Sequence, residues 1–80
     1  METWTVYLLR CSDAKVYTGF SSDFKRRFEQ HCNGEVSFTK TRLPVEVILL
    51  VEFRDKFRAM DFERYLKSGS GKEFSRRHFL

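Results

Sequence analysis

The sequence WTVYLLRCSDAKVYTGF, residues 4–20, decides the fold that the rest of the chain must complete. Its two ends, residues 4–10 and 15–20, are rich in the aromatic and β-branched residues that favour strands. Ser12 and Asp13 between them have the chemistry of a tight turn. Because the connection is short, we expect the two strands to pair as an antiparallel hairpin.

A helix and a third strand are predicted after the hairpin. Asp23 is suited to cap the helix, apolar residues recur at every fourth position from Phe24, and Gly34 provides the stop. Residues 35–44 are polar and basic and indicate a loop. The nearly continuous apolar run over residues 45–53 predicts a strand that is central or parallel to a neighbour.

A second helix should follow Asp55 and end at Gly69, and residues 72–80 are candidates for a short basic helix. The inward-facing residues expected on the second helix are Phe57, Met60, Phe62 and Leu66. The element order is therefore β-β-α-β-α, with room for a last helix. We predict the α+β class, a three-stranded sheet covered by helices, in a single domain of residues 1–80.

Composition narrows the classes of protein to consider. With 80 residues, 41% hydrophobic and 16% aromatic, the chain is not a disordered tail and can bury one small core. It has no apolar run of the ~20 residues that span a bilayer and no basic signal-peptide start, so we expect a cytoplasmic protein without a membrane partner. Its net charge of +4 indicates an anionic partner. Cys11 and Cys32 lack the spacing of a zinc site and are expected to be reduced, with at least one in the core.

Two pairs of residues on the hairpin and the first helix each allow a functional and a structural interpretation. Tyr7 and Tyr17 lie on adjacent predicted strands, where they could converge as two phenols or merely pack as rings. Arg27 and His31 are four residues apart and share a helix face. Asp23 lies four residues before Arg27, so a solvated ion pair is the structural alternative.

Glu63 on the predicted second helix is similarly ambiguous. Ala59 and Leu66 flank it on the same side, which indicates partial burial, and a half-buried carboxylate needs a cation or another partner. Lys67, four residues later, offers a surface ion pair as the alternative.

Taken together, these residues resemble the GIY-YIG nuclease domain over essentially the whole chain. The resemblance rests on Thr5-Val6-Tyr7, Tyr17-Thr18-Gly19 ten residues later, the helix 23–31 and the helical Glu63. It is strongest to the small stand-alone bacterial members, often labelled after the nuclease domain of the bacterial excinuclease. The motifs read TVY and YTG instead of GIY and YIG, but both tyrosines and the final glycine are kept.

The resemblance implies a catalytic set of Tyr7, Tyr17, Arg27, His31 and Glu63, with Gly19 as a glycine that nucleic acid approaches closely. Glu63 would hold Mg²⁺ or Mn²⁺, Arg27 would clamp the scissile phosphate, and Tyr7, supported by Tyr17, would orient or deprotonate the water. Because the pKa of a free tyrosine is about 10, the phenol needs either a nearby cation or a group that takes its proton. The sequence leaves both possibilities open.

The expected activity is therefore a metal-dependent endonuclease acting on DNA, with RNA left open, as a monomer or with a protein partner. Candidates for a phosphate-binding track are Lys40, Arg42, Lys72, Arg76 and Arg77. Nothing resembles a sequence-reading module, so any selectivity should come from the structure of the nucleic acid or from a partner. Two alternatives are a nucleic-acid-binding module of the same fold with little hydrolysis, and a protein-interaction domain whose tyrosines and Glu63 are structural. The presence of every catalytic side-chain type favours the nuclease.

Overall fold

The computed structural model describes residues 2–80, which form three strands and three helices in the order β-β-α-β-α-α. The strands are β1 (Trp4–Arg10), β2 (Val16–Ser21) and β3 (Glu46–Phe53). The helices are α1 (Phe24–Cys32), α2 (Lys56–Lys67) and α3 (Gly69–His78). The predicted α+β class is confirmed, and the last helix is present.

The sheet is antiparallel throughout, with the strand order β2-β1-β3. The hairpin prediction is confirmed, whereas the prediction of a central or parallel β3 is wrong. β3 pairs antiparallel with the free side of β1 and lies at the edge. Its apolar run misled the prediction because β3 also carries apolar residues on a face that stays open, where Val47 and Leu50 are exposed.

Side-chain caps position the helices as the sequence predicts, with one exception. The Asp23 carboxylate accepts a hydrogen bond from the Arg26 N–H, and the Asp55 carboxylate caps α2 in the same way. Helix α3 begins at Gly69, three residues earlier than predicted, because Ser68 serves both helices. Ser68 is both the C-cap of α2 and the N-cap of α3. At the start of α3 its hydroxyl accepts a hydrogen bond from the Gly71 N–H.

The hydrophobic core lies between the sheet and α2. Its fully buried members are Val6 and Leu8 of β1 and Ala59 and Leu66 of α2. The sequence places Phe57 on the inward face, but it is 73% exposed, because the buried stripe of α2 runs instead through positions 59, 62 and 66. Alternation along β1 sends Tyr7 to the opposite face of the sheet, where its ring packs against Phe24 of α1 with centroids 5.0 Å apart.

The two cysteines are both free. Cys11 is buried, while Cys32 is exposed although it continues the apolar spacing of α1. None of the helices within residues 2–80 is long and apolar enough to cross a membrane.

Candidate active site

A cavity of about 710 Å³ lies against the edge strand β2 and brings several of the predicted residues together. Its lining includes Tyr17 and Gly19 of β2, Arg27 of α1, Glu63 of α2 and Lys72 of α3. These residues are up to 55 positions apart in sequence and come from four elements. The cavity is therefore the candidate active site.

The register of the hairpin places both tyrosines on the same face of the sheet. Tyr7 is opposite Gly19, and Tyr17 is opposite Leu9, so the two tyrosines are diagonal neighbours with ring centroids 6.2 Å apart. A Cβ atom on Gly19 would collide with the phenol end of Tyr7, at its Cζ atom and hydroxyl oxygen, and would lie 2.6 Å from its Cε2 atom. Packing of Tyr7 is thus sufficient reason for the glycine, and contact of Gly19 with nucleic acid stays a prediction.

The two tyrosines differ in their access to the cavity. Tyr17 is partly exposed and lines it, whereas Tyr7 is 0% exposed and does not. The family resemblance implies that Tyr7 makes the primary contact with water and Tyr17 a supporting one. The geometry favours the reverse order, because Tyr17 is the phenol that a molecule in the cavity can reach.

Behind the cavity, a buried hydrogen-bonded chain joins Tyr7 to the loop between α1 and β3. The Tyr7 hydroxyl lies 3.1 Å from Nε2 of His31, and Nδ1 of His31 lies 2.8 Å from Oγ1 of Thr39. The Thr39 hydroxyl can in turn donate to the carbonyl of Val36, at 3.4 Å. All three side chains are fully buried. We refer to Tyr7, His31 and Thr39 as the buried chain.

The direction of the buried chain follows from the proton that Tyr7 must donate. Within residues 2–80, His31 Nε2 is the hydrogen-bond partner of the Tyr7 hydroxyl, so Nε2 accepts that proton. His31 then carries its own proton on Nδ1 and donates it to Thr39. The imidazole of His31 is consequently placed as a base toward the phenol of Tyr7.

The electrostatics are consistent with this direction. Burial, followed by the neighbouring Tyr17, raises the pKa of Tyr7 to about 12, although Arg27 acts in the opposite sense. Burial and then the charge of Arg27 lower the pKa of His31. At neutral pH the phenol is therefore protonated and the imidazole is neutral. Of the two possibilities left open by the sequence, a neighbouring cation alone does not lower the pKa of Tyr7, which favours transfer of its proton to another group.

Arg27 is held at the cavity by its own helix. Its Nη1 donates to Oε1 of Gln30 at 2.9 Å. The alternative of a side-chain ion pair with Asp23 is not formed, because that carboxylate caps α1. Burial lowers the pKa of Arg27, but interactions with the hydroxyls of Tyr17 and Tyr7 outweigh it, so its pKa lies above the usual value. The guanidinium remains charged and faces the cavity, whereas Arg26 is exposed on another side.

Glu63 shows features of both interpretations, the half-buried carboxylate and the ion pair with Lys67. Its side chain is 24% exposed and lines the cavity, while its Oε2 lies 3.1 Å from Nζ of Lys67. Residues 2–80 contain no group of three or more His, Cys, Asp or Glu side chains that could hold a metal ion. Among the described residues, Glu63 is the one carboxylate that lines the cavity. It fits a Mg²⁺-type ion that takes its other ligands from water and phosphate, as this cation commonly does.

Of the five basic residues expected to form a phosphate track, only Lys72 lines the cavity. Arg76 forms a two-pronged ion pair with Glu73, and Lys40 and Arg77 are exposed elsewhere. A role of these three in binding phosphate stays a prediction.

Arg42 has a clear structural role. Its Nε lies 3.0 Å from Oδ2 of Asp13 in the hairpin turn, and its Nη1 donates to the carbonyl of Phe38 at 2.6 Å. Its guanidinium also stacks on the Phe38 ring, 4.4 Å from the centroid. Arg42 thus holds the loop that contains Thr39 against the hairpin. These contacts occupy guanidinium N–H groups that could otherwise bind phosphate.

Sequence reasoning missed Thr39, Phe38 and Gln30. Phe38 lines the cavity and packs on Tyr17 with ring centroids 5.7 Å apart. Residues 35–44 form the predicted loop, but a polar loop is normally exposed, and Thr39 is 0% exposed. Residues 38–44 also resemble the corresponding segment of the small stand-alone family members, and this resemblance is the signal that could have pointed to Phe38 and Thr39.

Comparison with known proteins supports the same family. The model of the GIY-YIG catalytic domain matches residues 3–77. The UPF0213 protein YsiG of Lactococcus lactis is 38% identical over 68 residues, which cover 84% of this chain and 65% of that protein. A UPF0213 protein of Staphylococcus aureus is 33% identical over 69 residues, covering 85% of this chain and 84% of that protein. The chain thus spans slightly less than two thirds of the length of the Lactococcus relative.

A solved structure agrees with the fold. The solution NMR structure of a UPF0213 protein from Bacillus halodurans is 32% identical and superimposes with a TM-score of 0.61. The match covers 94% of this chain and 83% of the other. Because the family model matches residues 3–77 of the 80-residue chain, the chain belongs to the GIY-YIG superfamily of catalytic domains.

Proposed function

We propose that this protein is a metal-dependent endonuclease that hydrolyses phosphodiester bonds in DNA and selects strand structure rather than sequence. The observation that carries the proposal is the convergence of Tyr17, Arg27 and Glu63 on one cavity, backed by the buried chain. Phosphodiester hydrolysis needs a positioned water, a cation at the phosphate and a route for a proton. The site offers a candidate for each.

Arg27 is the candidate for binding the scissile phosphate. A guanidinium presents two parallel N–H donors to an anionic phosphate, a geometry that an ammonium group lacks. The hydrogen bond to Gln30 uses one nitrogen and restricts the side chain, which leaves the other N–H groups to be shared between the tyrosine hydroxyls and a substrate phosphate. Charge neutralisation by a pre-positioned donor is the largest single contribution in many such reactions.

The tyrosines and His31 are the candidates for moving the proton. In the reaction, the water oxygen bonds to phosphorus, the bond to the 3′ oxygen breaks, and one water proton must leave. Tyr17 lies in the cavity wall and would orient the water. Tyr7 would give its proton to Nε2 of His31 and take up in exchange the proton of the water, relayed through Tyr17, while the departing 3′ oxygen takes a proton from solvent in the cavity. Arg27 stabilises the phenolate that this transfer creates.

Glu63 would hold a Mg²⁺ or Mn²⁺ ion, which when bound supplies Lewis-acid neutralisation of charge at the phosphate. Lys67 now neutralises this carboxylate and would have to share or release it. That ion pair is also the observation that favours the second candidate function, a nucleic-acid-binding module with little hydrolysis.

The deciding experiment compares Glu63→Gln with Asp61→Asn, a matched loss of charge at an exposed site on the same helix. Nicked, branched and single-stranded DNA are incubated with each protein in Mg²⁺ or EDTA. We expect the parent and Asp61→Asn to cleave in Mg²⁺ only, and Glu63→Gln to bind DNA without cleaving it. Binding without cleavage by the parent itself would favour the binding module, and cleavage by Glu63→Gln at the parental rate would remove Glu63 from the proposal.

A further inference from the structure

The cavity continues past the catalytic candidates to the other face of the sheet. Alternation along β2 directs Tyr17 and Gly19 to the α1 side and the residues between and beside them to the α2 and α3 side. Because β2 is an edge strand, the cavity can pass around it. We refer to the part on the second side as the apolar lobe, lined by Leu8, Val16, Thr18, Phe20, Leu66, Ser75 and Leu80.

One polar group in the apolar lobe lacks a partner. Ser75 is 5% exposed, and its Oγ is the one buried side-chain nitrogen or oxygen within residues 2–80 that has no hydrogen bond. Burying a hydroxyl without a partner is unfavourable, and such groups are rare in folded proteins. Ser75 is among the residues that line the cavity, so a molecule bound there could supply the missing partner.

Packing alone does not account for the hydroxyl. Helix α3 approaches α2 closely at Gly71, where a Cβ atom would collide with the backbone of Tyr65. Ser75 lies one helical turn further on the same side, where we expect a small residue as well. Alanine would meet that requirement without burying a polar atom. The oxygen of Ser75 is therefore the feature that packing leaves unexplained.

A cation lies beside the apolar lobe. Lys72 is exposed, lines the cavity three residues before Ser75, and forms no ion pair within the described part of the chain. The lobe thus combines mainly apolar walls, the unpartnered hydroxyl of Ser75 and the positive charge of the neighbouring Lys72. A nucleotide has the matching properties, namely a flat apolar body, a polar edge and an attached phosphate.

We propose that the apolar lobe binds one unpaired nucleobase of the strand that is cut, with the base edge hydrogen-bonded to Ser75 and a flanking phosphate on Lys72. The proposal rests on the proposed function and adds its substrate class. A base within a duplex is stacked and paired, so entry of a base into the lobe requires a nucleotide that is already free. The preferred substrate is therefore single-stranded DNA, a flap or a gap next to the cleavage site.

The test measures binding in EDTA, so that it does not depend on cleavage. DNA carrying a five-nucleotide flap is labelled with 2-aminopurine at each flap position in turn, and a matched set carries an abasic site instead. We expect the fluorescence to change strongly at one position on binding, and an abasic site at that position to weaken binding about tenfold or more, as expected for loss of base contacts.

Three variants assign the effect to the lobe. Thr18→Phe fills it from the edge strand without entering the crossing of α2 and α3, and should abolish the preference for a base over an abasic site. Ser75→Ala should weaken binding of the intact flap about three- to tenfold, the effect of one hydrogen bond, while the melting temperature of the free protein stays the same or rises because an unpartnered hydroxyl is removed. Lys72→Ala should weaken both DNAs equally, and the matched Arg77→Ala on the same helix should do so less.

The outcomes separate this proposal from the proposed function. Equal binding of intact and abasic flaps, or an unchanged base preference in Thr18→Phe, would overturn the base-binding lobe even if the protein cleaves DNA in Mg²⁺. Failure to bind any of the DNAs would overturn both. A parental affinity for the intact flap in Ser75→Ala would remove the hydroxyl from recognition.

Discussion

The two sides of strand β2 differ in whether their buried polar side chains have hydrogen-bond partners. On the α1 side, Tyr7, His31 and Thr39 are fully buried and each is hydrogen-bonded to the next. On the α2 and α3 side, apolar walls surround the Ser75 hydroxyl, which has no partner within the described residues. The groups proposed for chemistry are thus already positioned in the free protein, while the group proposed for recognition is left to bind substrate.

The difference has a physical basis. A proton-transfer chain works only if donor and acceptor are held within hydrogen-bond distance, so its contacts should be made before substrate arrives. A recognition group that is satisfied internally has to give up a bond before it can make another, which reduces its net contribution to binding. Substitutions on the α1 side can therefore test whether cleavage depends on the exact positions of these groups.

The largest effect is expected at Arg27. Arg27→Lys keeps the positive charge but loses the two-pronged geometry, so we expect the turnover rate to fall by about 10²- to 10³-fold. Arg26→Lys, one residue earlier and exposed, is the matched control and should change the rate less than twofold. Steady-state cleavage assays in Mg²⁺ measure both. Equal losses in the two variants would mean that the position of the guanidinium is unimportant.

A somewhat smaller loss is expected at the tyrosines. Tyr7→Phe removes the first member of the buried chain and should lower the cleavage rate by roughly 10²-fold, as for loss of a proton-transfer group. It leaves His31 Nε2 buried without a partner, so the free energy of unfolding should also fall by about 1–3 kcal/mol. Tyr17→Phe should slow cleavage with a smaller loss of stability, because the buried chain stays intact.

Spectrophotometric titration gives an independent measure of the same chain. Because the pKa of Tyr7 is raised to about 12, one phenol of the parent should ionise only at high pH, and Tyr7→Phe should lack this step. If both tyrosine variants cleave at the parental rate, the two rings contribute only packing and the buried chain has no catalytic role.

The smallest effect is the pH dependence of stability. Because the pKa of His31 is lowered in the folded protein, the unfolded chain binds the proton first as the pH falls below about 6.5. The free energy of unfolding should therefore be highest at neutral pH and decrease toward pH 5. Urea denaturation of His78→Gln, in which His31 is the remaining histidine, measures this at several pH values.

Thr39→Val sharpens the same measurement. It removes the acceptor of the Nδ1 proton and should lower the stability at neutral pH by about 1 kcal/mol or more, while the exposed Thr41→Val should have little effect. A His31→Asn variant with the same decline in stability from pH 7 to pH 5 as the parent would show that His31 is not the titrating group.

The features that the sequence predicted correctly are the local ones. The hairpin follows from a short turn between two β-rich segments, and Asp23 and Asp55 cap helices through atoms within three residues. The shared face of Tyr7 and Tyr17 follows from the two-residue period of strands together with the turn. The family resemblance then supplied Arg27 and Glu63, and the fold brings both to one cavity.

The features that it could not predict depend on contacts between distant segments. The position of β3 was mistaken because an apolar run does not reveal whether both faces are covered, and Val47 and Leu50 are open. The burial of Tyr7 depends on the exact register that sets Gly19 opposite its ring. Ser75 carries no sequence signal at all, since a serine in a basic helix is ordinarily solvated.

The shared cap at Ser68 sets a strict limit on chain length in this part of the molecule. Since α2 ends and α3 begins at one residue, Ser68, no flexible linker separates Glu63 from Ser75. One additional residue in the last turn of α2 would rotate everything after it by about 100° and advance it by about 1.5 Å. That rotation would carry Ser75 out of the cavity while Glu63 stayed in place. Insertions should therefore accumulate in the segment 33–45 and be excluded from 63–75, which makes the spacing of these two residues a signature to look for in related sequences.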